Sequence, residues 1–253
     1  MKKYSTIIAD PPWYQRGGGK SKRGADKHYT IMKEHEIKEV MESALDGKVT
    51  DDAHLYLWVA NNHLPEAMRI IEHLGFRYIT NIVWAKSRFG LGRYFRGQHE
   101  LCLFATKGRG FSVRTDVNNV SSLLGQDLIS PTKHSSKPQQ MYELVESRSD
   151  GPYLELLAIG YNGNYSGGPN KVESLEPGCS GMIHAEINAL IKLDYNNPKR
   201  KKMYVTLSPC RACAKAIVNG GINEVIYDEE YRDTSSLDIF KDANIEFHKY
   251  IES

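Results

Sequence analysis

Two sets of alternating strand-like and helix-like segments constrain the fold of this chain more than any other feature of its sequence. In the first set, short apolar runs alternate with segments whose apolar residues recur at helical spacing. Such alternation is typical of a mostly parallel sheet with helices on both faces, so the predicted fold class is α/β. Strands are predicted over 4–9, 55–60, 78–85, 100–106 and 153–158, and helices over 33–45, 65–74 and 138–148.

A glycine-rich stretch, Gly160–Pro169, separates this set from a second one. Its turn-forming residues show no apolar periodicity, which is typical of a loop. We therefore predict two α/β domains, 1–158 and 159–253, the second smaller than the first. Helices of the second set are predicted over 184–193, 210–219 and 235–242, and strands over 203–207, 224–227 and 245–249.

The apolar runs and the cysteine count exclude three classes of protein. The longest apolar run, Leu55–Ala60, is much shorter than a membrane span, and the first apolar stretch ends at Asp10, unlike a secretory signal. With 40% hydrophobic and 25% charged residues, the chain does not belong to the disordered class. Four cysteines in 253 residues are too few for a disulfide scaffold. We therefore expect a cytoplasmic protein with reduced thiols and no membrane partner.

Positive charge concentrates in the first predicted domain. Residues 1–158 carry 22 Lys and Arg against 18 Asp and Glu, whereas residues 159–253 carry 11 against 13. The basic residues cluster in two stretches that also hold aromatic side chains. Such loops suit a nucleic acid whose bases stack on the rings, although a solvated surface is the alternative. The residues are Arg16, Lys20, Lys22, Arg23 and Lys27 in the first stretch, Lys86, Arg88, Arg93, Arg96, Lys107, Arg109 and Arg114 in the second, and the aromatic Tyr14, Phe89, Tyr94 and Phe95.

The sharpest motif lies in the second predicted domain, where His184 opens one helix and Cys210 and Cys213 open the next. Cysteines three residues apart on a helix share a face, and a helix N-terminus favours the thiolates that zinc binds. Three protein ligands leave one position open, as catalytic zinc sites do. Glu186 lies about 200° around the helix from His184, which suits a proton shuttle better than a fourth ligand. The alternative is a closed structural zinc site that also uses Cys179.

Five motifs of this region resemble those of the cytidine and deoxycytidylate deaminase family. They cover about residues 159–253 and fit the deoxycytidylate branch better than the tRNA-adenosine branch. The resemblance implies an α/β/α fold and a catalytic Zn²⁺. The motifs are Gly160-Tyr161-Asn162-Gly163, His184-Ala185-Glu186-Ile187-Asn188-Ala189-Leu190, Thr206-Leu207-Ser208-Pro209-Cys210, Cys213-Ala214-Lys215-Ala216-Ile217 and Gly221-Ile222-Asn223-Glu224-Val225-Ile226-Tyr227.

The same resemblance implies that dCMP and water are converted to dUMP and ammonia. A hydroxide activated by zinc would attack C4 of the cytosine ring. Glu186 would take a proton from that water and pass protons to the ring nitrogen and to the leaving ammonia. By resemblance, Asn162 contacts the sugar and the carbonyl of Ser208 accepts a hydrogen bond from the leaving amine. Tyr231 is a further candidate for the wall of the nucleotide pocket.

The chain departs from the deaminase pattern ahead of Tyr161. The family has a helix and a strand before this segment, and the sequence carries neither. Residues 153–160 could serve as the second strand of the usual hairpin, but the partner strand is absent. The sheet is therefore expected to have an open edge, covered by the first domain or by another subunit. We accordingly expect a homo-oligomer.

The first predicted domain carries a different motif, Asp10-Pro11-Pro12-Trp13, directly after a strand. The two prolines fix the turn, so the Asp10 carboxylate and the Pro11 carbonyl can point the same way. Two such acceptors suit an amino group that must be held as a nucleophile, and Trp13 offers a face on which a base can stack. The alternative is a stiff turn with a buried tryptophan.

With its context, this motif resembles the DPPW-type adenine amino-methyltransferases of mRNA and phage DNA. The resemblance covers nearly all of residues 1–158 and implies a Rossmann-like sheet. It places the adenine amine of DNA or RNA at Asp10 and Pro11, and it implies S-adenosylmethionine as methyl donor, flanked by Lys137 and the strand ending at Ala158. The other shared segments are His28-Tyr29, Val83-Trp84-Ala85-Lys86, Phe95-Arg96-Gly97-Gln98-His99-Glu100, Thr106-Lys107-Gly108, Ser136-Lys137-Pro138 and Tyr153-Leu154-Glu155-Leu156-Leu157-Ala158.

Both resemblances end at the same junction. In the methyltransferase family a terminal segment that holds the donor's adenosine follows the last of these strands, whereas this chain continues into Ile159-Gly160-Tyr161. The donor site is therefore incomplete in the sequence. We predict a fusion of two enzymes, each truncated at the join, a combination that would suit a phage-like genome. The alternatives are a nucleic-acid-binding protein with a structural zinc site and a recombined chain with one active domain.

Overall fold

The chain divides into two compact units, Met1–Leu157 and Ala158–Ser253. The structure is a computed structural model, and each unit has its own sheet and is described separately. The residues that the structure describes are 3–14, 32–90, 94–109, 120–125, 137–165, 171–174, 176, 180–193 and 199–250.

Six strands form the sheet of the first unit: β1 (Tyr4–Ala9), β2 (Val49–Val59), β3 (Arg77–Ala85), β4 (His99–Lys107), β5 (Leu123–Leu124) and β6 (Tyr153–Leu156). Their order across the sheet is β5-β3-β4-β2-β1-β6. β1 runs parallel to β2 and β6, and β3 runs parallel to β5. Among these strands only β4 runs in the opposite direction, so its pairings with β2 and β3 are antiparallel. The predicted mostly parallel sheet is confirmed.

Both faces of this sheet are buried in apolar surroundings. Its central strands therefore carry apolar residues on both faces and have no polar face. Trp58 of β2 belongs to a buried cluster with Met141 and Val145, which lie on a helix after the central strands. The preceding residue, Leu57, points to the opposite face and is fully buried. The helices are α1 (Glu34–Leu45), α2 (Leu64–His73), which lies against β2 and β3, and α3 (Gln139–Arg148).

The second unit contains three parallel strands in the order β7-β8-β9 within its described residues. Parallel neighbours need a crossover connection, and a helix supplies each one. Its core is a buried cluster that includes Leu190, Ile217, Val225 and Phe240. The elements are α4 (Ala185–Lys192), β7 (Lys202–Leu207), α5 (Arg211–Asn219), β8 (Glu224–Glu229), α6 (Ser236–Asp242) and β9 (Glu246–Lys249).

Residues 153–160 do not provide a strand for the second sheet, which corrects one expectation from the sequence. β6 instead pairs in parallel with β1, where Leu154 lies opposite Ile7 and Leu156 lies opposite Ala9. β1 has β2 along its other edge, so β6 completes its hydrogen bonding. The strand ends at Leu156, two residues before the predicted end at Ala158.

Two further differences concern segments with little apolar signal. β2 begins at Val49 rather than at residue 55, because its first half carries the exposed Asp51 and Asp52 and so lacks the apolar run that marks a strand. β5 has only two residues and was not predicted. Among the described residues, no helix combines the length and the apolar composition that crossing a membrane requires.

Candidate active sites

The three metal-ligand candidates of the second unit lie at two helix starts. His184 is the N-cap residue of α4, and Cys210 is the N-cap residue of α5, with Cys213 in the first turn. β7 ends at Leu207, so its carboxyl end leads directly into the cysteine pair. We call His184, Cys210 and Cys213 the ligand cluster. Their ligand atoms all lie within 4.8 Å of one another.

Distances within the ligand cluster match those of a tetrahedral zinc site. The Nδ1 atom of His184 lies 3.6 Å from the Sγ atom of Cys210 and 3.4 Å from the Sγ atom of Cys213. Zn–S bonds of about 2.3 Å and Zn–N bonds of about 2.0 Å, at the tetrahedral angle, place sulfur and nitrogen about 3.5 Å apart. The residues present therefore fit Zn²⁺, with Nδ1 as the ligand atom of His184.

Glu186 lies beside the ligand cluster rather than in it. Its side chain is buried in the first turn of α4, next to Cys213. Burial raises the pKa of the Cys213 thiol, and the negative charges of Glu186 and Cys210 raise it further. A divalent cation would relieve this clustering of negative charge. Cys179, the ligand of the closed alternative, lies outside the described residues.

Side-chain hydrogen bonds attach the Tyr161-Asn162-Gly163 turn to the start of α4. Asn162 Oδ1 accepts a hydrogen bond from the backbone N–H of Ala185 at 2.9 Å, which satisfies one amide of the helix N-terminus. The backbone of Gly163 exchanges two hydrogen bonds with Ile183. This hydrogen bond fixes the orientation of the Asn162 side chain beside the start of α4.

Asn188 holds the same turn, and sequence reasoning assigned it no role. Its Nδ2 atom donates to the carbonyl of Tyr161 at 2.9 Å, and its side chain is buried. The sequence spacing could have indicated this role, because Asn188 lies one helical turn after His184 and so shares its face of α4. Asn188 therefore positions the turn that carries Asn162.

Ser208 and Tyr231, two further candidates, are brought together by the structure. The Oγ atom of Ser208 accepts a hydrogen bond from the backbone N–H of Tyr231 at 2.8 Å. The backbone N–H of Ser208 donates to the carbonyl of Glu229 at 2.9 Å. These bonds join the segment that leads into α5 to the end of β8 and to the residues that follow it, so the two candidates lie in the same part of the second unit.

In the first unit, the Asp10–Trp13 turn follows the carboxyl end of β1. The carbonyl of Pro11 accepts a hydrogen bond from the backbone N–H of Trp13 at 2.9 Å, and the carbonyl of Pro12 accepts one from Met32 at 2.7 Å. A carbonyl oxygen has two lone pairs, so Pro11 retains one for a further donor. The turn is thus fixed by hydrogen bonds as well as by its prolines.

Trp13 fixes the turn and presents little surface to a ligand. The indole is 7% exposed, its Nε1 donates to the carbonyl of Trp58 at 2.8 Å, and its ring stacks on His63 at a centroid distance of 5.8 Å. The stacking role predicted for Trp13 is therefore not supported, because its ring is already packed. The buried-tryptophan alternative describes this residue.

Four charged side chains, which we call the ion-pair chain, connect the Asp10–Trp13 turn with β3 and β4. Lys137 Nζ lies 2.8 Å from Asp10 Oδ2 and 3.3 Å from Glu100 Oε2, and Glu100 also contacts Lys86. Lys137 also lies over the Trp58 ring at 4.9 Å. The sequence marked Glu100 and Lys86 only as parts of motifs, so their link to Asp10 was missed.

Charge and burial oppose each other along the ion-pair chain. Removal from solvent raises the pKa of Asp10 more than the attraction of Lys137 lowers it, although 38% of the side chain stays accessible. Burial alone would raise the pKa of Glu100, but the two lysines outweigh it and hold that pKa below its usual range. Burial would lower the pKa of Lys137, but Asp10 and Glu100 reverse this and raise it. Lys137 is therefore a stable ammonium beside a partly accessible carboxylate.

The segment after β6 belongs to the second unit. A Cβ atom on Gly160 would lie 1.9 Å from the carbonyl oxygen of Ala185, so this glycine packs directly on α4. Lys192 donates to the carbonyl of Ile159 at 2.5 Å, and burial lowers the pKa of this lysine to about 8. Ala158, a candidate for the donor site, lies two residues beyond the end of β6.

Comparison with known proteins finds matches to two families. Residues 4–163 match the MT-A70 family, and residues 154–229 match the cytidine and deoxycytidylate deaminase zinc-binding region. The two matches overlap over 154–163, the segment that joins β6 to the Tyr161-Asn162-Gly163 turn.

Relatives of both kinds are found. Human deoxycytidylate deaminase is 34% identical over 113 residues, which cover 38% of this chain and 62% of the human protein. The chain thus spans less than two thirds of the length of that relative. The type II methyltransferase M.MunI of Mycoplasma sp is 28% identical over 187 residues, covering 67% of this chain and 76% of M.MunI. The crystal structure of dCMP deaminase from the cyanophage S-TIM5, in complex with dCMP and dUMP, is 34% identical, covers 37% of this chain and 72% of that chain, and has a TM-score of 0.32.

Proposed function

The chain belongs to the MT-A70 family through residues 4–163, and from this premise we propose that it joins an adenine amino-methyltransferase to a zinc-dependent dCMP deaminase. The geometry of the ligand cluster carries the deaminase half, because its sulfur–nitrogen separations are those of a tetrahedral zinc site. The position of Asp10 after β1, paired with Lys137, supports the methyltransferase half.

In the deaminase half, His184 Nδ1 and the two cysteine sulfurs would hold Zn²⁺. When bound, the ion lowers the pKa of a water molecule at the open position. Glu186, buried beside Cys213, would accept the proton of the water whose oxygen bonds to C4 of dCMP, and would deliver protons to the ring nitrogen and to the amino group, which leaves as ammonia when its bond to C4 breaks. Asn162 contacts the sugar, the carbonyl of Ser208 accepts a hydrogen bond from the leaving amine, and Tyr231 lines the nucleotide pocket.

Metal content and ammonia release from dCMP test this half together. We expect about one zinc per chain and turnover of dCMP. The Glu186→Gln variant should keep the metal and lose activity by roughly 10²–10⁴-fold, the range of general acid–base catalysis. Glu246→Gln, at an exposed carboxylate paired with Arg200, is the matched control and should keep activity. Normal turnover by Glu186→Gln would refute the role of this residue.

Zinc binding by the Cys179→Ala variant separates a catalytic site from a closed structural one. The catalytic site uses His184, Cys210 and Cys213, so the variant should retain its zinc. Loss of the metal from this variant would favour the structural site and a binding role for the second unit.

In the methyltransferase half, Asp10 and the Pro11 carbonyl would accept hydrogen bonds from the amino group of an adenine in DNA or RNA. S-adenosylmethionine supplies the methyl group when bound, and Lys137 offers an ammonium that can face the donor's carboxylate. We place Ala158, two residues beyond the end of β6, beside the donor as well. Donor binding by calorimetry tests this half, with Asp10→Asn as the variant that should reduce methyl transfer to an adenine oligonucleotide. Absence of heat at high donor concentration would reduce the first unit to a binding role.

We also propose a cytoplasmic homo-oligomer. Cys102, Cys210 and Cys213, the cysteines that the structure describes, are all free thiols, which suits a reducing compartment. Among the described strands, β7 has only β8 beside it, so its outer edge is a site for a second subunit. Light scattering should give a mass above 28.7 kDa, the mass of one chain. A monomer at micromolar concentration would refute the oligomer.

A further inference from the structure

We infer that Lys192, in the last turn of α4, is a positioning residue that holds the segment 159–163 along the helix and so sets the place of Asn162 at the nucleotide. This inference rests on the proposed dCMP deaminase function, to which it adds a residue outside the ligand cluster. The evidence lies in the contacts along α4, in the spacing of the residues that make them and in the burial of Lys192.

Two hydrogen bonds hold the segment at opposite ends of α4. In the last turn of the helix, Lys192 Nζ donates to the carbonyl of Ile159 at 2.5 Å. In the first turn, the backbone N–H of Ala185 donates to Oδ1 of Asn162 at 2.9 Å. The segment therefore lies along the helix and runs in the opposite direction, from the end of α4 towards its start.

The residues between these two bonds also contact α4. A Cβ atom on Gly160 would lie 2.5 Å from the backbone nitrogen of Ala189, so the backbone of the segment touches the helix. The carbonyl of Tyr161 accepts a hydrogen bond from Asn188 at 2.9 Å. Lys192 also reaches Tyr161, since its Nζ atom lies 5.7 Å from the centre of the ring. Lys192 therefore contacts two residues of the segment that carries Asn162.

The residues of α4 that matter here share one face of the helix. His184, Asn188 and Lys192 follow one another at intervals of four residues, and residues four apart lie on the same face. His184 belongs to the ligand cluster, whereas Asn188 and Lys192 hold the segment. One helix thus carries a metal ligand and both side chains that position Asn162. The place of Asn162 relative to the ligand cluster then depends on how the segment lies on α4.

The burial of Lys192 argues against a role in packing alone. Burial lowers the pKa of this lysine to about 8, so most of the side chains carry a charge at neutral pH. An ammonium is costly to bury, and an apolar side chain of the same length would avoid that cost. A hydrogen bond from a charged donor is stronger than a neutral one, so the bond to Ile159 offsets the cost. What the lysine adds is therefore its hold on the segment.

Steady-state kinetics of the zinc-loaded full chain at pH 7 tests this role. Lys192→Met keeps the length of the side chain but removes the charge and the donor. We expect KM for dCMP and the dissociation constant of dUMP to rise about tenfold, as they would if the segment were in place in about a tenth of the molecules. The value of kcat and the zinc content should stay unchanged, because the ligand cluster and Glu186 are intact.

Three further variants complete the comparison. Lys192→Arg keeps the charge and the donor, so it should bind dCMP nearly as well as the unaltered protein does. Lys192→Gln has a polar but shorter side chain, so KM should rise, and this variant gives the measurement if Lys192→Met does not fold. Lys241→Met is the matched control, because Lys241 is an exposed lysine in the last turn of α6 and its loss should leave KM unchanged.

A double substitution tests whether Lys192 acts through Asn162. Asn162→Ala alone should raise KM for dCMP. Adding Lys192→Met to that variant should then raise KM little further, because the contact that Lys192 positions is already lost. A further rise as large as the one that Lys192→Met causes alone would show that the lysine acts by another route, and would overturn the inference.

Amide hydrogen exchange followed by NMR reports on the segment without catalysis. The backbone N–H of Ala185 is bonded to Asn162, so Lys192→Met should speed its exchange and Lys241→Met should not. If the unaltered zinc-loaded protein does not turn over dCMP, the proposed deaminase function fails, and exchange at Ala185 alone decides whether Lys192 holds the segment. Unchanged exchange or unchanged KM in Lys192→Met would overturn the inference. A parallel fall of kcat, zinc content and urea midpoint would overturn it as well, because Lys192 would then serve the stability of the fold.

Discussion

Lys137 lies between two carboxylates, and its pairing links distant parts of the first unit. Asp10 directly follows β1 and Glu100 lies on β4, so the ammonium links two strands that are not neighbours in the sheet. Each carboxylate repels the other, which contributes to the raised pKa of Asp10. Glu100 therefore acts in two ways, because it holds Lys137 and also opposes ionisation of Asp10.

Replacing Glu100 by Gln should lower the pKa of Asp10. The substitution removes the repulsion from Glu100 and leaves Lys137 with Asp10 as its remaining carboxylate partner in the ion-pair chain. An NMR titration of the carboxyl carbon of Asp10 should show this downward shift of its pKa. The acid limb of the pH–rate profile of methyl transfer should move to lower pH with it. Glu34→Gln, which breaks a surface pair with Arg69, is the matched control. An unchanged or higher pKa of Asp10 would contradict this account of Glu100.

At the level of elements, the sequence predicted the helix starts of the second unit closely. His184 and Cys210 follow loop or strand residues, and each precedes an apolar periodic run, so the pattern located α4 and α5 to within one residue. The ion-pair chain could not be predicted in this way. Lys137 and Glu100 are 37 residues apart, and their pairing depends on the packing of α3 against the sheet.

The sequence offered residues 153–160 to both sheets, and the local pattern could not decide between them. Tyr153–Leu156 has the apolar character that a strand of either sheet needs, and both family matches include part of it. In the structure this segment pairs with β1 and so belongs to the first sheet. Tertiary contacts, and not the local sequence pattern, determine which strand it pairs with. Gly160, which belongs to the second unit, packs against α4.

The Gly160→Ala substitution should destabilise the second unit by about 1–3 kcal/mol, the usual cost of an extra methyl group in a packed site. The new Cβ would lie 1.9 Å from the carbonyl oxygen of Ala185 and 2.5 Å from the backbone nitrogen of Ala189, so α4 or the turn must move. Urea unfolding followed by circular dichroism measures the loss. Gly125→Ala, at a glycine with open space around it, should change little. Equal stability of the two variants would contradict the close packing at Gly160.

At the level of the whole molecule, the two units have separate cores and separate titrating groups. His54 is buried in the first unit, where its Nδ1 lies 2.6 Å from the Oγ of Ser149. Burial lowers the pKa of this histidine, with an opposing contribution from Asp150. The unfolded chain therefore takes up a proton near pH 6.5 that the folded unit resists, so the free energy of unfolding falls as the pH drops below that value.

The His54→Phe variant should reduce this loss of stability. Unfolding in urea at pH 7.5 and at pH 5.5, followed by tryptophan fluorescence, gives the difference in free energy of unfolding for each protein. The unaltered protein should lose more on acidification than the variant does. A His35→Phe variant, at an exposed position on α1, should lose as much as the unaltered protein. Identical losses in the unaltered protein and in His54→Phe would show that His54 does not account for the pH dependence.

Removal of metal should distinguish the two units within one chain. All three tryptophans, Trp13, Trp58 and Trp84, lie in the first unit, whereas the ligand cluster lies in the second. Metal that binds the folded second unit stabilises that unit by mass action, so a chelator should lower its unfolding temperature. A loss of about 1 kcal/mol shifts the melting temperature of a domain this small by about 4–8 °C. Calorimetry should therefore show a chelator-sensitive transition without a matching change in tryptophan emission, and Cys210→Ser should reproduce it without chelator.

S-adenosylmethionine should raise the temperature of the unfolding transition that tryptophan emission reports, and it should leave the temperature of the chelator-sensitive transition unchanged. A chelator that lowered the tryptophan transition to the same extent would mean that the two units unfold together, and their chemistry could then not be treated as independent.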